Sequence, residues 1–161
     1  MDFLVLNIFM EFSKITKIYW REKDWQDLEI AESISDLFKI AERIIDRMDK
    51  PFVQVCGPIG TGGLGSVEAN LNAFNNTIIK LQHDGLNVFD QMPFEIPIQR
   101  IKERLIKDGG YFSSILTDFY CPIFTSGLVS AFYFMPNWQT SFGAKWEHEE
   151  AKKLGIKIIY L

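Results

Sequence analysis

Between Asp24 and Met48 apolar side chains return every three or four residues, through Trp25, Leu28, Ile34, Leu37, Ala41 and Ile45, which predicts one amphipathic helix over 24–48. Pro51 closes it, and the short apolar run "FVQVCG" (52–57) reads as a buried strand. A glycine-rich loop, "GPIGTGGLGS", leads to Ser66, a helix-capping residue. Val67, Leu71, Phe74, Ile78 and Leu81 then mark the inner face of a second helix, which Gly85 stops. "LNVFDQM" (86–92) is a second strand. Pro93 and Pro97 are expected to break the chain before a charged helix, "IQRIKERLIKDGG", that ends at Gly109-Gly110. A further helical segment covers about 111–126, "LVSAFYFM" (128–135) is the third strand, and "IKIIYL" (156–161) is the fourth.

The helix between the last two strands breaks its own pattern. It opens near Ser141, and at about 100° per residue Ala144, Ala151 and Leu154 define the stripe that should face a core. Glu147 falls in the middle of that stripe. Lys145, His148, Glu149, Lys152 and Lys153 occupy the opposite, solvent-facing arc. A helix with so many outward positions for an acid places this one inward, either to pair with a nearby Lys or Arg or to point into a crevice. In a crevice, a carboxylate held ionised can act as nucleophile or general base.

Strands alternating with helices imply right-handed crossovers and a parallel sheet with helices on both faces. The expected fold class is α/β, a three-layer flavodoxin-like (Rossmann-like) parallel sheet of about four to five strands, with an N-terminal helical extension. The extension takes residues 1–50 and the α/β domain residues 51–161. In such sheets ligands bind beyond the carboxyl ends of the strands, so the loops at 57–66, about 91–98 and 136–143 should meet there.

Composition narrows the field. A chain of 161 residues with 47% hydrophobic and 24% charged residues fits one ordinary domain. A formal net charge of −4 with no basic block argues against a nucleic-acid polymer as partner. Two distant cysteines, Cys56 and Cys121, and two histidines offer no metal-ligand spacing, so no metal is expected and a reduced, cytoplasmic setting is the default. The opening "MDFLVLNIFMEF" lacks the basic start of a signal peptide, and Glu11, Lys14 and Lys17 interrupt it too soon for a membrane span. It reads as a packed element or part of an oligomer contact.

Two candidate chemistries compete at the glycine loop. Gly60-Thr61-Gly62-Gly63-Leu64-Gly65 is formally G-x-G-x-x-G, with Asp90 available as a ribose acid for a dinucleotide. Gly57-Pro58-Ile59, however, separates these glycines from the strand end, where the fingerprint needs a tight turn. No Lys-Ser or Lys-Thr follows, which excludes a P-loop. A loop cradling a sugar or phosphate fits better. Glycosyl chemistry pairs a carboxylate such as Glu147 with a second acid, for which Asp118, Asp90 and Glu95 are candidates. Trp138, in the loop before the helix, could stack on a planar base.

Three segments together resemble the nucleoside 2-deoxyribosyltransferase-like superfamily, nearest to its small bacterial and phage branch. They are "VQVCGPIG" with Asn70 downstream, "DFYCPIFTSGLVSAFYFMPNW" with Asp118 ahead of the third strand, and "SFGAKWEHEEAKKLGI". The last holds the spacing Ser141, Gly143, Glu147, Ala151. The resemblance covers about 51–161 and implies that Glu147 attacks C1′ of a 2′-deoxynucleoside or its 5′-monophosphate, forming a covalent glycosyl-enzyme. Asp118 would be the partnering acid. Gly57, Pro58, Ile59 and Gly60 would lie against the sugar or 5′-phosphate, beside Ser141, Gly143 and Trp138. Ser141 stands where transferase members carry Asp and the nucleotide N-hydrolase branch carries Ser, which favours a phosphorylated substrate. The loop lacks the Arg that branch uses, and Gln54 replaces a common first-strand Tyr. The resemblance implies no cofactor, no membrane, and a homodimer or higher oligomer. The rival from another class is a non-catalytic nucleotide-binding or sensing module of the same fold.

Overall fold

A computed structural model describes residues 10–107 and 114–161. The expectations for the opening apolar run up to residue 9, for the Gly109-Gly110 helix end and for the start of the 111–126 helix lie outside these residues. Among the described residues the protein is α/β, with seven α-helices and one three-stranded parallel sheet in the order β1-β2-β3. The elements are α1 (Lys14–Ile18), α2 (Glu22–Ile30), α3 (Ile34–Arg47), β1 (Phe52–Cys56), α4 (Val67–His83) and α5 (Met92–Lys107). A π-helical turn (Ile115–Tyr120) then runs into α6 (Cys121–Thr125), followed by β2 (Val129–Phe134), α7 (Phe142–Leu154) and β3 (Lys157–Tyr160). No helix among the described residues is long and apolar enough to cross a membrane.

The chain forms two compact units, Met1–Met48 with Gln91–Ile123, and Asp49–Asp90 with Phe124–Leu161. The first is helical. The single helix predicted over 24–48 is in fact two, because Ser33 and Asp36 close a capping box. The Ser33 hydroxyl accepts from the Asp36 N–H at 3.1 Å, and the Asp36 carboxylate accepts from the Ser33 N–H at 3.1 Å. This local pair satisfies the first donors of α3 and leaves the chain extended at Ser33, so α2 cannot run on. Pro93 and Pro97 do not precede α5 but lie within it. Pro93 falls in the first turn, where N–H groups lack helical acceptors anyway, and Pro97 forfeits one hydrogen bond in the second.

Buried aromatics and one ion cluster hold this unit. Trp20 stacks on Trp25 at 4.2 Å and leans on Phe94 at 5.3 Å, and Phe94 meets Phe119 at 5.1 Å. Asp24, 1% exposed, receives Arg43 at 2.9 Å and Arg47 at 2.7 Å. Arg100 donates to the Leu28 carbonyl near the end of α2 at 3.2 Å and to the carbonyl of Ala31, the residue that caps it, at 2.9 Å, and so closes that helix.

The second unit contains the sheet. All five residues of β1 are buried. β1 pairs with β2 in parallel, Cys56 opposite Phe134, with one irregularity between Phe52 and Val53. There Ser130 has no partner residue on β1, stands exposed, and its hydroxyl reaches the Phe52 carbonyl at 3.3 Å. The strand predicted over 86–92 shrinks to one parallel bridge between Val53 and Val88, so the sheet has three strands instead of four to five. Val53 N–H donates to Asn87 at 2.8 Å and Phe89 N–H to the Val53 carbonyl at 3.0 Å. The ladder stops there because Gln91 and Met92 already turn into α5: the Gln91 carbonyl accepts from Phe94 at 3.0 Å. Those two bonds still cover the free edge of β1, which keeps an apolar strand from being exposed.

Candidate functional site

β1 and β2 end side by side at Cys56 and Phe134, and the loops that leave them are locked together at the root. Met135 N–H donates to the Cys56 carbonyl at 2.9 Å. A side chain on Gly57 would place its Cβ 2.7 Å from Met135 Sδ, so only bare backbone lets Met135 pack there. Gly57 and Pro58 are buried, Ile59 is half-buried and Gly60 is exposed.

The glycine loop is held by Asn70, buried at 3% exposure in the first turn of α4. Its amide donates to the Ile59 and Gly62 carbonyls, both at 3.1 Å, and its carbonyl oxygen accepts from Leu64 N–H at 2.8 Å. Thr140 Oγ1 accepts from Gly63 N–H at 2.8 Å. Gly62 and Gly63 adopt left-handed φ of 68° and 64°, and a Cβ at either would fall on the Thr140 or Asn70 side chain. Two glycines of the G-x-G-x-x-G string are thus engaged in fastening the loop to the protein. Beside the loop opens a pocket of about 200 Å³, lined by Pro58, Leu64, Asn70, Thr77, Met135 and Asn137 among others. That is room for a sugar-sized group.

The loop after β2 turns sharply at Asn137, in the left-handed region at φ 62°, whose carbonyl accepts from Thr140 N–H at 3.0 Å. Asn tolerates this conformation better than other side chains. Ser141 then caps α7, its hydroxyl accepting from Ala144 N–H at 3.3 Å, while Gly155 at φ 67° ends the helix. The start matches the sequence expectation. A capping hydroxyl keeps its own proton free to donate, so Ser141, buried at 6% exposure, retains one hydrogen bond for a ligand. Gly143 is half-buried.

Glu147 is buried at 7% exposure on the side of α7 shared with Ala144 and Ala151. The stripe ends at Ala151, whose carbonyl accepts from Ile156 as the chain turns back into β3; Leu154, predicted to face inward, is 40% exposed. The Glu147 carboxylate is close enough to the last side chain of β1, Cys56, to act on its thiol. Burial pushes that thiol well above its ordinary pKa, and the charge and hydrogen bond of Glu147 push it the same way. The thiol therefore stays protonated as a donor.

His148 does not face solvent as its place on the helix predicted; it is 6% exposed. The turn Trp138–Thr140 and the end of β3 wrap over that side of α7. Trp138 stacks on the imidazole at 4.2 Å and 22°, Phe134 meets it edge-on at 5.1 Å, and Nε2 lies 2.6 Å from the Tyr160 hydroxyl. Trp138 also stacks near Tyr160, at 6.1 Å and 19°, so its ring is already held among aromatics. Trp138, Gln139 and Tyr160 line a second opening of about 360 Å³.

The remaining acids are distributed differently. Asp90 is buried in the sheet unit, whereas Asp118 and Glu95 belong to the helical unit. Asp118 is exposed in the π-helical turn and accepts from Thr117 Oγ1 at 3.0 Å. Glu95 is buried and raised to about 7, chiefly by burial, with the Tyr120 hydroxyl at 3.4 Å and Lys102 pulling it back. Among the described residues no cluster of three or more His, Cys, Asp or Glu side chains could hold a metal ion.

Sequence reasoning singled out Glu147, Ser141 and Asn70 but missed Cys56 and Thr140 as partners of the site. Both lie far along the chain from what they touch, and only β1–β2 pairing and the loop fold bring them in. Comparison with known proteins gives one match: residues 118–160 fit the family model described as a domain of unknown function, DUF4406. No significant match exists among curated proteins or solved structures.

Proposed function

We propose that this protein cleaves or exchanges the N-glycosidic bond of a 2′-deoxynucleoside or its 5′-monophosphate, on a flavodoxin-like α/β scaffold, with Glu147 as nucleophile. One observation carries the reading: a glutamate at the position of the Ser141, Gly143, Glu147, Ala151 pattern is buried, near the Cys56 side chain that ends β1. The match over 118–160 spans this same pattern.

In the first step a Glu147 oxygen attacks C1′, the C1′–N bond breaks with its electrons on the base, and the base takes up a proton. The resemblance assigns that proton to Asp118. In the second step water or another base attacks C1′ and the Glu147 carboxylate leaves. The pocket beside Pro58 and Asn70 receives the sugar or its 5′-phosphate, with Ser141 donating its free proton to an oxygen there. Trp138 is the aromatic side chain proposed to meet the base. No cofactor enters this chemistry. A cytoplasmic setting and a homodimer or larger oligomer accompany the reading.

The low exposure of Glu147 favours a second reading, a binding or sensing module that holds a nucleotide without turnover. Chromatography for free base, after incubation with a panel of deoxynucleosides and their monophosphates with and without a second base, separates the two. Base released or exchanged by the protein but not by Glu147→Gln supports the enzyme. Tight binding with no base released across the panel supports the module and sinks the glycosidic reading.

A further inference from the structure

We infer that His148 is a positioning residue for the pocket beside the glycine loop, although it is not among the side chains that line it. The inference rests on the proposed function only in taking that pocket as the ligand's. The pocket lies between two loops. Pro58, Gly63 and Leu64 come from the loop after β1, and Met135, Pro136 and Asn137 from the loop after β2. The loops are tied at two levels. At the root, Met135 N–H donates to the Cys56 carbonyl at 2.9 Å. At the tip, Gly63 N–H donates to Thr140 Oγ1 at 2.8 Å, and that hydroxyl donates in turn to the Asn137 carbonyl at 2.6 Å. The tie at the tip therefore holds only as well as the turn Trp138–Thr140 holds Thr140.

Trp138 anchors that turn. Its ring stacks on the His148 imidazole at 4.2 Å and 22° and leans on Phe134 at 5.1 Å. Phe134 is fixed in β2, and Tyr160 is fixed opposite it in β3. The hydrogen bond between His148 Nε2 and the Tyr160 hydroxyl, 2.6 Å long, ties the buried imidazole to that frame. The bond offsets the cost of burying a polar ring, and it also sets the plane of the ring. An indole stacked on an oriented imidazole is oriented with it, whereas an aliphatic side chain would only fill the space. Direct contacts thus run from Tyr160 through His148, Trp138 and Thr140 to Gly63, and the width of the pocket at Gly63 follows the imidazole.

Backbone amide exchange read by NMR tests this first, because Leu64 N–H is an internal reference: Asn70 holds it, not the turn. Tyr160→Phe removes one hydroxyl from an exposed side chain and should leave the fold intact. Exchange at Gly63 should quicken roughly three- to tenfold, with Leu64 and the β1 amides unchanged. His148→Phe, which keeps a stacking ring but no bond, should match it, and combining the two substitutions should add nothing further. His148→Gln, which again offers Tyr160 a hydrogen-bonding partner, should slow Gly63 most of the way back. Unaltered exchange at Gly63 in Tyr160→Phe, or an equal rise at Gly63, Leu64 and β1, overturns the inference. The second measurement is base release. His148→Phe should raise KM several-fold while kcat stays within about twofold, because the pocket is loosened and the reacting groups are not. An unaltered KM beside a loosened Gly63 also overturns the inference, since the tie would then not shape the ligand's pocket. In a protein that releases no base, Gly63 exchange still decides the role of His148, and the failure belongs to the glycosidic reading alone.

Discussion

Two buried acids, one in each unit, are treated in opposite ways. Asp24 in the helical unit is met by two guanidinium groups and a backbone N–H: Arg43 at 2.9 Å, Arg47 at 2.7 Å and Arg21 N–H at 2.9 Å. Burial alone would raise its pKa, but the hydrogen bonds of Arg47, Arg21 and Arg43 and the charge of Arg47 outweigh it and bring it to about 2. Glu147 in the sheet unit lies against a thiol that burial keeps protonated. An acid cancelled by cations fastens helices. Glu147 instead lies near the end of β1, on the side where a parallel sheet presents its ligands.

The sharpest way to break this comparison is to neutralise each acid with the smallest change. Glu147→Gln should abolish base release, a loss of roughly a thousandfold or more, while the melting temperature moves by no more than a few degrees. Unfolding of this variant would make Glu147 a structural residue like Asp24. Asp24→Asn should do the reverse. It leaves two arginines without their buried partner and should cost about 3 kcal/mol in urea denaturation. The acid limb of stability should change with it. A folded pKa near 2 against an unfolded 3.8 gives stability that is present above 3.8 and lost as pH falls through 2, and Asp24→Asn should flatten that window. Near-unaltered stability in Asp24→Asn would show that the cluster holds nothing together.

Glu95 sharpens the contrast further, because there burial outweighs its partners. Its carboxyl is raised from 4.5 to about 7, first by burial, against the pull of the Tyr120 hydroxyl and Lys102. The folded state keeps a proton that the unfolded chain has released, so stability falls as pH rises from 4.5 to 7 and then levels off. Glu95→Gln should be neutral at pH 4.5 and stabilising by about 2 kcal/mol at pH 8. Paired urea titrations at the two pH values read this directly, and an equal effect at both would refute the assignment. The smallest effect is expected from Asn70→Ala, which removes three hydrogen bonds from an otherwise exposed loop and should cost about 1–2 kcal/mol. Hydrogen exchange should quicken at Leu64, whose N–H it holds, and unchanged protection there would mean that Asn70 is not the strut of the loop.

What could be read in the chain were features with local causes. Ser66 and Ser141 announce helix starts because a cap hydroxyl acts three residues away, and Gly85 announces a stop because only a residue tolerant of positive φ fits there. Glu147 was legible as an acid among alanines at helical spacing. The capping box at Ser33 and Asp36 was also written in the sequence, but the apolar spacing ran straight across it and concealed the break. Tertiary structure alone decided the rest. Residues 86–92 have strand composition, yet a strand exists only where a ladder forms, and here the chain leaves β1 after two hydrogen bonds. His148 points to the polar arc of its helix, yet Trp138 and Tyr160 come from elsewhere in the chain to cover it. Cys56 and Glu147 stand 91 positions apart (147 − 56). The chain by itself determined that an acid would be buried on α7, because periodicity is a property of neighbours. What that acid would meet was decided only by which strand end the helix packs against.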